Sequence, residues 1–341
     1  MAEHSTTFAL VGSDSLLGRE IRDIVATSAS GMELRLIAAE EEHAGTLTRV
    51  GDEPSLVEVL GVESLAGVSA VFLAGSAASS HKALELVEND DPGIVIIDLT
   101  YSTEERPEAR LRAPLVEATS DDESVVADSS VHVIAHPAAV ALALFLRRLH
   151  EYAPIQRSVI EVFVPASEYG AAGVEELQQQ TVSLLSFKSL PRAIFDAQLS
   201  FSLLARYGEE APVALDETEL RIERHLASLL ALPGEGAGVT MPSLRVIQAP
   251  VFHGYSFSAW VEFDENPGVE MLESSLSADS IEVRGREFEP PTNVGQAGQS
   301  GIAVGAIVED RNQPDACWFW MVADNLRLLA ENAVAVAREL L

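Results

Sequence analysis

The first half of the chain is punctuated by short, mostly apolar runs: Phe8–Gly12, Glu33–Ala39, Ala70–Gly75, Ile94–Asp98 and Val131–Ala135. Runs this brief predict strands covered on both faces. Amphipathic stretches between them, near 16–25, 79–89 and 137–150, predict helices, so the expected fold is a doubly wound parallel sheet. The last of these runs leads through His136 into Pro137, which suits the first position of a helix because its missing N–H would be unpaired there. Positions 138–140 then lie where free backbone donors and the helix dipole stabilise negative charge and lower a thiol's pKa. Such a position suits a nucleophile, and the chain places Ala139 in it.

Phe8–Gly12 runs into Gly12-Ser13-Asp14-Ser15-Leu16-Leu17-Gly18, followed by a helix with Leu16, Leu17, Ile21, Ile24 and Val25 on its apolar side. Strand, glycine turn and helix are the parts of a dinucleotide-binding unit, in which phosphate sits on backbone donors at the helix start. The fingerprint is imperfect: Ser15 stands where a glycine would let phosphate approach, and Asp14 sets a carboxylate beside it. Capping of the helix by Ser13 or Asp14 explains the same residues. After the second strand comes Glu40-Glu41-Glu42, either a solvated loop or, if a cofactor binds, a reason to prefer NAD, since these acids would repel a 2′-phosphate.

Fifty-three acidic and 22 basic residues give a net charge of −31. That balance argues against nucleic acid or an anionic membrane as partner and for a very soluble or salt-tolerant surface. No apolar run is long enough to span a bilayer. Residues 1–7 lack the parts of a signal peptide, which makes the cytoplasm the expected location. Cys317 is the only cysteine, so neither an intrachain disulfide nor a Cys-based zinc site is expected. His132 and His136 fall on strand and turn rather than on one helix face, and no metal site is expected.

From about residue 156 the pattern changes to longer, partly alternating strands at 158–164 and 255–263, with helices near 171–187 and 216–231, a glycine-rich loop at 233–238, and strands near 281–288 and 301–309. Trp318–Val322 and a helix from Asp324 to Leu341 read as a return to the first sheet. The domain expectation is therefore 1–135 plus 318–341 for the doubly wound domain, with 136–317 an inserted α+β domain.

Several stretches resemble the aspartate-semialdehyde dehydrogenase family. The most specific is Val322-Ala323-Asp324-Asn325-Leu326-Arg327 with Asn332-Ala333-Val334. Gly12…Gly18, Phe72-Leu73-Ala74-Gly75-Ser76, Ala172–Leu177, Pro250-Val251-Phe252-His253-Gly254 and Pro291-Thr292 follow the family's order across nearly the whole chain. The resemblance implies a Rossmann-type dinucleotide-binding domain with an inserted α+β catalytic and dimerisation domain, and a homodimer. It also implies NADPH-dependent reductive dephosphorylation of aspartyl phosphate, a step of amino-acid biosynthesis. NAD(P) contacts are implied at Gly12, Ser13, Ser15, Leu16, Gly18, Gly75, Ser76 and Asn325.

At the reacting residues the chain departs from the family. The position of the nucleophilic cysteine is Ala139, that of the proton-transferring histidine is Tyr255, and that of the carboxylate-binding arginine is Gln248. The phosphate-binding arginine falls near Glu104, the active-site glutamine at Val164, and the residues that receive the 2′-phosphate fall in Ala39–Glu42. In these departures the chain resembles the Usg-type paralogues, and a Gln or Glu in place of an arginine weakens anion binding. One expectation is a non-catalytic dimeric scaffold, or a regulatory partner of the true dehydrogenase, with weak NAD binding or none. The other is an oxidoreductase that acts without covalent catalysis, with Tyr255 as an oxyanion donor and His253, two residues before it, as a possible acid–base partner. Cys317 reads as a buried strand residue, and Glu168, in a loop where the family has a small residue, as a group that obstructs a ligand.

Overall fold

The computed structural model describes residues 6–28, 31–40, 42–51, 53–117 and 129–341. Residues 1–5 of the leader reading and Glu41 of the acidic run lie outside the described residues. The chain divides into two compact units. Of the described residues, the first holds those through Pro114, 129–135 and Leu329–Leu341; the second holds 115–117 and His136–Leu328.

In the first unit β1 (Thr6–Val11) leads to α1 (Leu16–Thr27) and β2 (Met32–Ile37). A hairpin, β3 (Leu47–Val50) and β4 (Glu53–Leu56), precedes the short α2 (Val62–Leu65) and β5 (Ala70–Leu73). Then come α3 (Ala77–Asp90), β6 (Val95–Asp98), β7 (Ala109–Arg112) and β8 (Val131–Ile134). Apart from the hairpin the strands form one parallel sheet in the order β2-β1-β5-β6-β8-β7. The apolar runs are unbroken because each strand feeds two cores. Phe8 and Leu10 pack with Ile21, Ala333 and Val334 on one face, while Ala9 and Val11 pack with Ala83, Leu84 and Val87 on the other. Edge strand β7 is tied down by Arg112, whose guanidinium grips both carboxylate oxygens of Glu339 at 2.8 Å.

The second unit opens with α4 (Pro137–Tyr152), β9 (Ile155–Val164), a 3₁₀ turn (Ala166–Tyr169) and α5 (Gly170–Leu185). It continues through α6 (Leu215–Leu230), β10 (Ser243–Gln248), β11 (Tyr255–Phe263), α7 (Val269–Leu276), β12 (Ile281–Arg284), β13 (Ile302–Glu309) and β14 (Ala316–Ala323). The last helix, α8 (Asn325–Arg338), begins here and ends in the first unit. The sheet order is β10-β9-β11-β14-β13-β12, antiparallel in the middle and parallel at both outer pairs. On its inner face Phe319 meets Phe145 of the almost wholly buried α4, ring centroids 5.1 Å apart.

One expectation is corrected here. Trp318–Val322 does not return to the parallel sheet; β14 pairs antiparallel with β11 and β13. The cause is its two-sided character. Cys317, Phe319 and Met321 are buried, whereas Trp318 and Trp320 look outward beside Trp260, and both Trp260 and Trp318 donate their indole N–H to Asp310 at 2.9 Å. Large aromatics on the outer face made an alternating strand read as a doubly buried one.

Candidate functional site

The first unit gathers Gly12, Ser13, Ser15, Leu16, Gly18, Gly75 and Ser76 at the C-terminal ends of β1 and β5, which are parallel neighbours. The glycines permit backbone contact. A Cβ on Gly12 (φ +86°) would stand 2.3 Å from the Gly75 nitrogen, and one on Gly18 2.1 Å from the Gly12 oxygen. The cap of α1 is Ser15, not Ser13 or Asp14: its hydroxyl accepts from the Gly18 N–H at 2.9 Å and donates to the Ala74 carbonyl at 2.8 Å. Ser76 caps α3 in the same way. Asp14 is paired with Arg22 at 2.9 Å. The Ser13 hydroxyl is buried with no partner, and the N–H groups of Leu16 and Leu17 are the open donors of a helix start. This end of the turn fits a pyrophosphate. Beside it, Glu42 turns inward and accepts the N–H of Asp14 at 3.1 Å and of Ala39 at 3.0 Å.

Glu104, also in the first unit, is half-buried in the turn after β6. That turn is organised by the buried carboxylate of Asp98, which accepts from the backbone and hydroxyl of both Thr100 and Thr103.

In the second unit, α4 starts as the sequence predicts, and Ala139 is fully buried in its first turn. His136 is the N-cap: its Nδ1 accepts from the Ala138 N–H at 3.2 Å. That acceptor role puts the proton of a neutral ring on Nε2, which faces the Glu168 Oε1 at 2.9 Å. The other oxygen of Glu168 accepts from the Tyr255 hydroxyl at 2.7 Å. Burial by itself would raise the Glu168 pKa. The electrostatic pull of His136, the hydrogen bonds from His136 and Tyr255, and the charge of Arg221 outweigh it and hold the carboxyl below its ordinary range. The backbone N–H of His136 donates to His225 Nδ1 at 2.9 Å.

Asn325 holds the 3₁₀ turn that carries Glu168. Its side-chain oxygen accepts from the Gly254 N–H at 3.1 Å, and its amide nitrogen lies 3.1 Å from the Ser167 hydroxyl. The partner of Tyr255 is thus Glu168. His253 lies in the turn before β11, with its backbone carbonyl on Asn293.

Gln248 ends β10, fully buried. Its amide donates to the carbonyls of Val164 (2.8 Å) and Ala249 (3.1 Å), and its oxygen accepts from Tyr207 at 2.6 Å. The Tyr207 hydroxyl also lies 3.0 Å from that of Tyr169, which lies 3.2 Å from Thr218. Since a phenol has one proton, Tyr207 gives it either to Gln248, at the shorter distance, or to Tyr169. Burial raises both phenols, Tyr169 to about 12. Val164 is fully buried. Tyr207 reaches Gln248 because residues 190–200 are wrapped onto α5 by Glu176, which accepts the N–H of Ile194 at 2.6 Å, and by Gln180, which accepts that of Leu199 at 2.8 Å.

Cys317 is buried in β14, and burial pushes its thiol up to about 11, so it is not a thiolate at neutral pH. Among the described residues no group of three or more His, Cys, Asp or Glu could hold a metal, and no helix is long and apolar enough to cross a membrane. Sequence reasoning missed the convergence of His136 and Tyr255 on Glu168, the Tyr169–Tyr207–Gln248 chain, and the inward turn of Glu42. The residues that meet stand far apart in sequence, and no local spacing announces them.

A Rossmann-type parallel sheet with a glycine turn, joined to a mixed sheet with helices on one face, defines the class. Residues 146–328 match the semialdehyde dehydrogenase dimerisation domain. A USG-1 protein homolog of Pseudomonas aeruginosa is 30% identical over 98% of this chain and 96% of its own. The aspartate-semialdehyde dehydrogenase of Rickettsia bellii is 26% identical over 98% and 97%. Among solved structures, aspartate semialdehyde dehydrogenase II of Vibrio cholerae, complexed with ASA, superposes with a TM-score of 0.81 at 22% identity, each chain covered to 98%. The chain belongs to the semialdehyde dehydrogenase family.

Proposed function

We propose that this chain keeps the frame of an aspartate-semialdehyde dehydrogenase without its covalent chemistry. It would act in the cytoplasm as a homodimeric scaffold, or as a regulatory partner of a catalytic family member, with weak NAD binding or none. The observation that carries this reading is the start of α4, where Ala139, the residue that the resemblance aligns with the family's nucleophile, presents a buried methyl group. Gln248 supports it. At the place of a carboxylate-binding arginine stands a neutral amide whose oxygen and nitrogen are already engaged inside the protein. The outer face of the second sheet, with Val159, Trp260 and Trp318, supports self-association. The family's dehydrogenases use NADP; Glu40 and Glu42, with no lysine or arginine between Ala38 and Thr48, support NAD as the better tolerated dinucleotide here.

The test is turnover of aspartate semialdehyde with phosphate and NADP by the wild type and by Ala139→Cys. Neither is expected to react, because loss of a nucleophile costs several orders of magnitude and Gln248 and Tyr255 remain changed. Turnover at ordinary enzyme rates by the wild type would overturn the proposal.

A second reading, oxidation or reduction of an aldehyde or oxo group without a covalent intermediate, is favoured by the His136–Glu168–Tyr255 arrangement, in which two protons face one carboxylate. A bound NAD(P) would supply or accept the hydride, while these residues would hold the proton. This reading requires that NAD or NADP at millimolar concentration raise the melting temperature, because a ligand of the native state must do so. No shift with either would eliminate it.

A further inference from the structure

The side chain of Glu42 is the most unusual feature of the first unit. A glutamate at the end of the second strand of such a sheet ordinarily points toward a ribose. Here the carboxylate bridges two segments of its own chain, taking the N–H of Asp14 from the glycine turn and the N–H of Ala39 from the end of β2. Its own N–H closes a turn onto the Ala39 carbonyl at 3.0 Å, which fixes the loop in this shape. The guanidinium that holds Asp14 is already engaged through both of its Nη groups. Arg22 pairs with Asp14 and donates to the Ser13 carbonyl, to the Thr48 hydroxyl at 2.7 Å and to the Arg49 carbonyl. An incoming phosphate would therefore meet two carboxylates and no uncommitted guanidinium among these groups.

We propose that Glu42 is a built-in anion that occupies the donors an adenosine 2′-phosphate would otherwise approach, so that the chain restrains its own dinucleotide site and excludes NADP more strongly than NAD. The inference rests on the reading that the first unit accepts a dinucleotide at all. The physical argument is competition. Amide N–H groups held by a carboxylate form charge-assisted bonds, and a 2′-phosphate must displace that carboxylate and then remain beside its charge. NAD, without the extra phosphate, meets only the first of these obstacles. Discrimination arises from what is repelled rather than from new attraction.

The test uses the full chain and the variants Glu42→Ala and Glu42→Gln, titrated calorimetrically with NADP and with NAD at one fixed, low ionic strength, since screening would blunt the effect. Glu42→Ala is expected to bind NADP about tenfold or more tighter than the wild type, the effect of about 1.4 kcal/mol, with a smaller gain for NAD. Glu42→Gln, which keeps an acceptor but drops the charge, should fall between and serves if Glu42→Ala folds poorly. Without ligand, hydrogen exchange at the Asp14 and Ala39 amides should accelerate in Glu42→Ala. Equal affinities in wild type and variants would overturn the restraint while leaving the dinucleotide reading intact. Weaker NAD binding in Glu42→Ala would also overturn it, because Glu42 would then be a ribose ligand. No binding of either dinucleotide by any of the proteins at millimolar concentration would overturn both this inference and the reading beneath it.

Discussion

The glycine turn of the first unit and the α4 end of the second unit are both clusters of polar groups, and they differ in how much remains to be offered to a ligand. At the glycine turn the first N–H groups of α1 and the Ser13 hydroxyl are still open, and one carboxylate, Glu42, covers a neighbouring pair of donors. At the α4 end each polar group described has a partner within its unit: His136 and Tyr255 on Glu168, and Gln248 on Tyr207, Val164 and Ala249. A site whose donors and acceptors are satisfied internally has become part of the fold, and a ligand could enter only by breaking bonds already made.

The sharpest way to break this contrast is Gln248→Arg, which restores the charge that resemblance assigns to the family's position. The guanidinium would replace an amide whose three bonds run to Tyr207, Val164 and Ala249 in a fully buried slot. No carboxylate is among those partners, so the charge enters uncompensated, and destabilisation of about 3–5 kcal/mol is expected in urea unfolding. If the variant is as stable as the wild type and gains affinity for a dicarboxylate, the α4 end is a ligand site after all.

Next in size is Glu168→Ala. It strips a bond to a carboxylate from both His136 and Tyr255, and a hydrogen bond to a charged group contributes about 1.5–3 kcal/mol. Glu168→Gln should cost less, because the amide oxygen can still accept one of the two protons. The two variants also differ from the wild type in acid. The folded pKa of Glu168 is depressed, so its stabilising contribution is complete above the unfolded carboxyl value of about 4.3 and is lost as the pH falls through the lower folded value. The stability difference between wild type and Glu168→Gln should therefore narrow below about pH 4. A difference that stays constant from neutral pH down through that window would mean the carboxylate is not held by charge.

How much of this could be read from the sequence depended on whether the signal was local. The strands of the first unit were legible because burial on both faces leaves an unbroken apolar run. The glycines were legible because Gly12, Gly18 and Gly75 stand where no Cβ fits. Ala139 could be placed because Pro137 marks the start of its helix. The strands Ala109–Arg112 and Ser243–Gln248 escaped because both are short edge strands in which polar residues interrupt the apolar ones. Glu168 read as an obstruction because its two partners lie 32 and 87 residues away. For Glu42 the charge was visible, but the direction of its side chain was not.

The smallest expected effect bears on the open half of the comparison and uses two serines of the same turn. Ser15→Ala removes the cap of α1 and the bond to Ala74, for a loss of about 1 kcal/mol. Ser13→Ala removes a buried hydroxyl that bonds to nothing, so stability should change by no more than about 0.5 kcal/mol in either direction. If the hydroxyl is kept for a phosphate, the same change should weaken dinucleotide binding severalfold while leaving the unfolding midpoint unmoved. A Ser13→Ala protein that loses stability as Ser15→Ala does would show that its hydroxyl is already engaged in the fold. The glycine turn would then be closed like the α4 end, and the difference between the two regions would vanish.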